Sequence, residues 1–248
     1  MKTFTFPLFI MLVLFASSCK TPQMLVDTDL KQTSAAMTVK GRYGLLIGQK
    51  LSFGSYQTGE VQRGWIKSRR FNFLFIDNTN SKQAINFSLS DSLGNNYTAQ
   101  CLSKLKKEQT DLGFFLGHSN NPILNELMRI DEEYDETFAV TIEADSSTVW
   151  NMLVANRHIV RQRGKYKGLL YSQTQTIEIN PIRHVEGTKV PFPDVIGFEY
   201  ILDGKVIGAV ETLNKGRIWI SPDIDTQLKG ILAAASAALL LQTDLETV

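Results

Sequence analysis

The segment ILAAASAALLL, residues 231–241, constrains the fold more than any other stretch of this 248-residue chain. It carries no charge, and Ser236 is its one polar side chain. Counting 100° per residue from Leu228, Leu232 and Leu239 fall within about 40° of one direction, whereas Leu240 lies at about 120° and Leu241 at about 220°. Bulky groups therefore point several ways, and alanines cover the back of the middle. A helix that is apolar all round belongs inside a core. A membrane span does not fit, because eleven residues rise only about 16 Å against roughly 30 Å of bilayer hydrocarbon.

The start of that helix is marked in the sequence. Ser221 suits an N-cap, Pro222 the first turn, and Asp223 and Asp225 complement the helix dipole, which predicts a helix over about 222–242. Gly230 inside it costs about 1 kcal/mol relative to alanine, so packing must require it. The Ser236 hydroxyl can bond back to a carbonyl one turn earlier.

Most of the chain upstream reads as strands and turns. Ile85, Phe87 and Leu89 alternate with Asn86 and Ser88, Phe138, Val140 and Ile142 share a face, and Phe71, Phe73 and Phe75 form a third alternating set. NYTAQCLSKL places Cys101 as a small strand residue, and KGLLYSQTQTIEINPI reads as an extended segment ended by Pro181. Asp203-Gly204 is a two-residue hairpin signal and Asn214-Lys215-Gly216 marks a second turn, so three antiparallel strands lead into the last helix. One internal helix is expected in SNNPILNELMRI, with Asn121 as cap, Pro122 in the first turn and Ile123, Leu124, Leu127, Met128 and Ile130 on one stripe. YGLLIG near residue 45 and KGLLYS near 169 are only loosely alike, and no repeat is found.

The fold class expected is mainly β: an antiparallel sheet, closed as a barrel, around the hydrophobic C-terminal helix. The competing arrangement is a surface helix lying on a sheet with its alanine side exposed. The stretch from Gly197 to Leu245, a strand meander followed by a hydrophobic helix, resembles the tubby C-terminal-like superfamily, which includes phospholipid scramblases and LURP-one-related proteins. The resemblance implies a closed barrel with Ile224, Leu228, Ile231, Leu232, Leu239 and Leu240 threaded through it. It carries no lipid-binding or calcium-binding residue set onto particular positions, and fold alone does not fix function.

The N-terminus carries a different signal. MKTFTFPLFIMLVLFASSCK has Lys2, an apolar run and small residues ahead of Cys19, the pattern of a secretory signal. Ser17, Ser18 and Cys19 resemble a bacterial lipoprotein lipobox, although Ala16 stands where that family more often has Leu. The resemblance implies cleavage before Cys19 and several acyl chains on it, including palmitate-type chains. At about 0.8 kcal/mol per buried methylene, two or three chains hold a protein stably on a membrane where one does not. Lys20 after the cysteine implies sorting to the outer membrane, facing the periplasm. The resulting organisation is a signal peptide over 1–18, a lipidated N-terminus and polar tether over 19–36, and one β-rich domain over 37–248.

Composition excludes more than it identifies. With 26 basic and 25 acidic residues the chain is near neutral, which does not suit a nucleic-acid binder. Lipidation at Cys19 leaves Cys101 without an intramolecular partner. The three histidines, His118, His158 and His184, stand in unrelated contexts, and no zinc, P-loop, dinucleotide or GxSxG motif is present. No catalytic residue, metal site or cofactor is therefore assigned. The acidic run Asp131, Glu132, Glu133, Asp135 and Glu136 lacks the spacing of a calcium loop and reads as a solvated connector.

The candidate ligand-binding residues are Arg157, Arg161, Arg163, Lys165 and Lys167, in a basic segment turning near Gly164 with KSRR, residues 67–70, as a possible neighbour. If the segment is a hairpin, Arg161, Arg163 and Lys165 share a face toward anionic lipid or glycan; an exposed polar strand face is the plainer reading. The function expected is a lipid-anchored envelope protein that binds a lipid, glycan or protein partner without catalysis. An envelope hydrolase or lipid-processing enzyme with a dispersed site, and a structural scaffold, are the alternatives.

Overall fold

In the computed structural model of the chain, residues 21–64, 81–105, 136–144, 148–155 and 168–242 are described. The expected strand through Phe71, Phe73 and Phe75 and the expected internal helix of residues 119–130 lie outside them.

The described residues form thirteen strands and two helices. The strands are β1 (Met37–Thr38), β2 (Ser52–Phe53), β3 (Tyr56–Thr58), β4 (Gln62–Gly64), β5 (Ser81–Asp91), β6 (Asn96–Leu105), β7 (Glu136–Ala144), β8 (Val149–Ala155), β9 (Gly168–Tyr171), β10 (Thr176–Ile182), β11 (Gly197–Leu202), β12 (Lys205–Glu211) and β13 (Arg217–Ile220). The helices are α1 (Thr28–Thr33) and α2 (Thr226–Leu241). Every pairing is antiparallel, in the order β1-β13-β12-β11-β10-β9-β8-β7-β6-β5-β3-β2, with β4 also on β5. The two ends of this order meet. Lys40, just beyond β1, exchanges both backbone hydrogen bonds with Ser52 of β2, at 2.9 and 3.1 Å. A sheet joined in this way has almost no free edge, and its inner face surrounds a core.

That core is built around α2. From Leu228 to Leu241 every residue but Lys229 is buried, including all five alanines of the middle, Ala233, Ala234, Ala235, Ala237 and Ala238. The helix touches β5, β6 and β7 on one side and β12 and β13 on the other, which stand far apart in the strand order. The surface-helix arrangement is thereby excluded. Alternation supplies the wall as the sequence predicts: Ile85, Phe87, Leu89, Phe138, Val140 and Ile142 all face the helix core.

Backbone conformations agree with the hairpin signals. Asp203 and Gly204 have φ of 51° and 78°, the type I′ pattern, and join β11 to β12. Asn214 and Gly216, at 52° and 90°, turn the chain from β12 into β13.

Four local expectations are corrected. The helix begins at Thr226, not 222, because Asp225 is the N-cap and accepts the Leu228 N–H at 2.8 Å; Ser221 and Pro222 form a preceding turn, and Ile224 is half-buried ahead of the helix. Ser236 pairs at 3.0 Å with the buried Tyr200 hydroxyl of β11, a partner that only barrel closure can bring to it. Pro181 does not end the extended segment: the chain turns at 172–175, and β10 runs through Pro181 to Ile182. The expected tether of 19–36 is, from residue 23 on, docked on the barrel's outer face, as detailed below.

Gly230 shows why its cost is accepted. A Cβ there would lie 2.0 Å from Cζ of Tyr97, whose ring on β6 packs directly against the helix backbone. Gly230→Ala should lower the melting temperature by several degrees, since overpacking a tight core costs about 1–3 kcal/mol. Adding Tyr97→Leu should return part of the loss in a thermal melt; a single variant melting like the parent would show that the ring is not held there.

Candidate functional site

Several strand ends lie together at the end where α2 finishes. Tyr97 lies against Gly230, early in the helix, whereas Arg63 of β4 donates from Nη2 to the Leu241 carbonyl at 2.9 Å. Arg63 stands in the row Ile85, Cys101, Val140 and Met152 across β5 to β8, so these strands point their Ser81, Leu105, Glu136 and Ala155 ends the same way. The β10–β11 and β12–β13 connections open at this end as well, as Gly216 against Leu240 shows.

Two arginines hold the helix terminus. The last carbonyls of a helix have no partner within it, and burying them bare is costly. Arg42 donates from Nε to the Leu240 carbonyl at 2.9 Å and from Nη1 to the carbonyls of Thr212 at 2.9 Å and Asn214 at 3.1 Å. With Arg63 on Leu241 this places two cations at the negative end of the helix dipole. Burial draws both guanidiniums below their usual range, and for Arg42 the neighbouring charge of Arg63 adds to it. A guanidinium nevertheless stays protonated in proteins.

Between Arg42 and β2 the chain throws out a loop, residues 43–48, whose base is pinned. The buried Gln49 side chain accepts the Tyr43 N–H at 2.8 Å and donates to the Gly44 carbonyl at 3.1 Å, and the Gly48 N–H reaches the Val61 carbonyl at 2.9 Å. Gly44 and Gly48 flank the tip with φ of 56° and 75°, a left-handed backbone that glycine adopts without strain.

On the outer face, two carboxylates receive the N-terminal segment. Glu211 of β12 accepts the Met24 N–H at 2.8 Å and a second hydrogen bond from Arg217 Nη2 at 3.0 Å, while Arg217 lies 5.3 Å over the ring of Trp219. Glu199 of β11 accepts the Asp27 N–H at 3.0 Å. Gln23 and Leu25 add backbone bonds to Glu186 and His184, and Asp27 caps α1 through the Leu30 N–H. Met24, Val26 and Leu30 then bury themselves against Ile196, Ala209 and Trp219. The signal for this docking was the short apolar patch Met24, Leu25 and Val26 with Leu30 beyond it, too short to be read apart from its receiving surface.

The residues singled out in the sequence fare unevenly. Cys101 is fully buried on β6, and that burial pushes its thiol up, with the Arg63 charge opposing only in part. Cys19, the basic set Arg157, Arg161, Arg163, Lys165 and Lys167, and residues 67–70 lie outside the described residues, as do His118, His158 and most of the acidic run. Among the described residues no group of three or more His, Cys, Asp or Glu is arranged to hold a metal ion, and no helix is long and apolar enough to cross a membrane. Comparison of the chain with family models, with curated proteins and with solved structures gives no match.

Glu199 makes the docking pH-sensitive. Burial is the main cause that raises its carboxyl above the ordinary value of 4.5, the nearby Asp27 charge adds to this, and the Asp27 N–H works against it. A raised value means that the folded chain holds the proton more tightly, so this contribution to stability is present in acid and fades as pH rises through the raised value. Glu199→Gln should therefore melt a few degrees above the parent at pH 7.5, and the gap should close toward pH 4. A gap that stays constant with pH would show that the carboxylate is not penalised.

Proposed function

We propose that this protein is a lipid-anchored component of a bacterial cell envelope, held at the outer membrane by acyl chains on Cys19, and that it works by binding rather than by catalysis. The observation that carries the anchor is the N-terminal pattern itself: Lys2, a short apolar run, then Ser17, Ser18 and Cys19.

The binding role is supported by how the barrel spends its interior. The inner face is filled by α2, and several of the buried polar groups described have structural partners: Tyr200 with Ser236, Arg42 with carbonyls, Glu211 with Met24 and Arg217. A core filled by its own helix leaves the outer surface and the connections for recognition. We assign the ligand contact to the basic segment Arg157, Arg161, Arg163, Lys165 and Lys167, which the chain inserts between the end of β8 and the start of β9. Its chemistry suits anionic lipid or glycan. The antiparallel barrel around α2 also supports reading the chain as a distant architectural relative of the tubby-like proteins.

Mass spectrometry of the N-terminal peptide should find acyl chains on Cys19. With residues 1–18 exchanged for an ordinary cleavable secretory signal, Cys19→Ser should yield protein that washes off the membrane. Retention of that variant in the membrane fraction would sink the anchor.

For the ligand, the triple change Arg161→Ala, Arg163→Ala and Lys165→Ala should weaken binding to anionic vesicles or acidic glycans about a hundredfold at low salt, at ~1 kcal/mol per charge. Unchanged binding to both would remove the basic segment from the proposal.

A further inference from the structure

Large apolar side chains left in solvent are concentrated at one end of the barrel. Leu45, Leu46 and Ile47, exposed by 44, 56 and 72 %, form the tip of the pinned loop, and Tyr43, exposed by 68 %, stands beside it. Val190 and Phe192 of the β10–β11 connection are exposed too, with Leu25 paired alongside that connection. Among the described residues, Leu93 and Val149 are the exposed apolar side chains of comparable size at the opposite end. Scattered single residues of this kind are ordinary, but a run of four on one loop is not. The loop's base is held by Gln49 and its foot by Arg42, so the tip is presented rather than left over.

The N-terminal segment says what this end faces. Met24 is fully buried, and a Cβ on Gly197, at the start of β11, would meet its sulfur. Met24 is therefore fixed beside the β10–β11 connection, at the same end as the apolar tip. Four residues stand between it and Cys19, so five Cα-to-Cα steps give a reach of about 17 Å at full extension. A chain acylated at Cys19 cannot let this end stand far off the bilayer. Lys40 at the foot of the loop and Lys189 beside Val190 are exposed cations, the kind of group that suits a phosphate headgroup.

We infer that this end of the barrel docks on the bilayer that holds Cys19, with Tyr43, Leu45, Leu46 and Ile47 entering the boundary between headgroups and acyl chains. The inference rests on the anchor reading and deepens it: the acyl chains tether, and the tip orients the barrel with its helix C-terminus toward the lipid. A loop tip of aliphatic side chains with one tyrosine matches an interfacial environment, apolar at depth and wet at the rim.

The test uses the full acylated protein on vesicles of phosphatidylethanolamine and phosphatidylglycerol. A single tryptophan is added by I47W or V190W at the docking end, or by L93W at the far end, all exposed positions in the parent. The emission of the unsubstituted protein is subtracted. Lipids with brominated acyl chains should quench the added I47W emission by about half and shield it from aqueous iodide, with V190W following in the same direction and L93W doing the reverse. Acyl mass on the Cys19 peptide is measured in the same preparations. Acyl mass present with I47W as open to iodide as L93W overturns the docking and leaves the anchor standing. Acyl mass absent overturns the anchor and this inference with it.

Discussion

A helix enclosed by a sheet must solve a problem at each of its ends. Its sides meet mostly apolar side chains, which is favourable, but terminal N–H and C=O groups that enter the core need partners. At the start the solution is local, through Asp225 on the Leu228 N–H. At the finish it is long-range, because Arg42 and Arg63 approach from elements nearly two hundred residues away in sequence and take the carbonyls of Leu240 and Leu241. Arg42 lies two residues beyond Lys40, whose bridge to Ser52 joins the sheet's two ends, and Arg63 stands on β4. Closing the barrel and finishing the helix thus use contacts from neighbouring parts of one chain segment.

The same logic explains the small residues of the interior. Gly230 admits the Tyr97 ring, Gly208 lies against Leu232, and Gly216 against Leu240. A closed sheet of fixed circumference cannot widen locally, so excess volume on the helix must be removed residue by residue. Alanines line the middle of α2 for that reason. A polar contact inside, Tyr200 with Ser236, gives the helix a rotational and axial register that apolar packing alone specifies weakly.

Outside, Glu199, Glu211, Arg217 and Trp219 form a receiving surface for a segment that precedes the barrel in sequence. This changes the meaning of the N-terminus. A free tether would separate an anchored residue from the domain, whereas a docked segment couples its position to the barrel's orientation. The exposed tip at residues 43–47 acquires significance from that coupling.

Much of the architecture was legible in the sequence because it depends on local periodicity. The alternation of Ile85, Phe87 and Leu89, the Asp203-Gly204 turn and the all-round apolar character of residues 231–241 each act through near neighbours. They determined strands, hairpins and a helix that had to be buried. The tertiary structure alone decided what meets across long separations: Tyr200 with Ser236, Arg42 with Leu240, and Met24 with Glu211. It also decided that the run YGLLIG is an exposed loop. Exposure is a property of what fails to pack against a segment, and a linear pattern does not encode which surfaces arrive there.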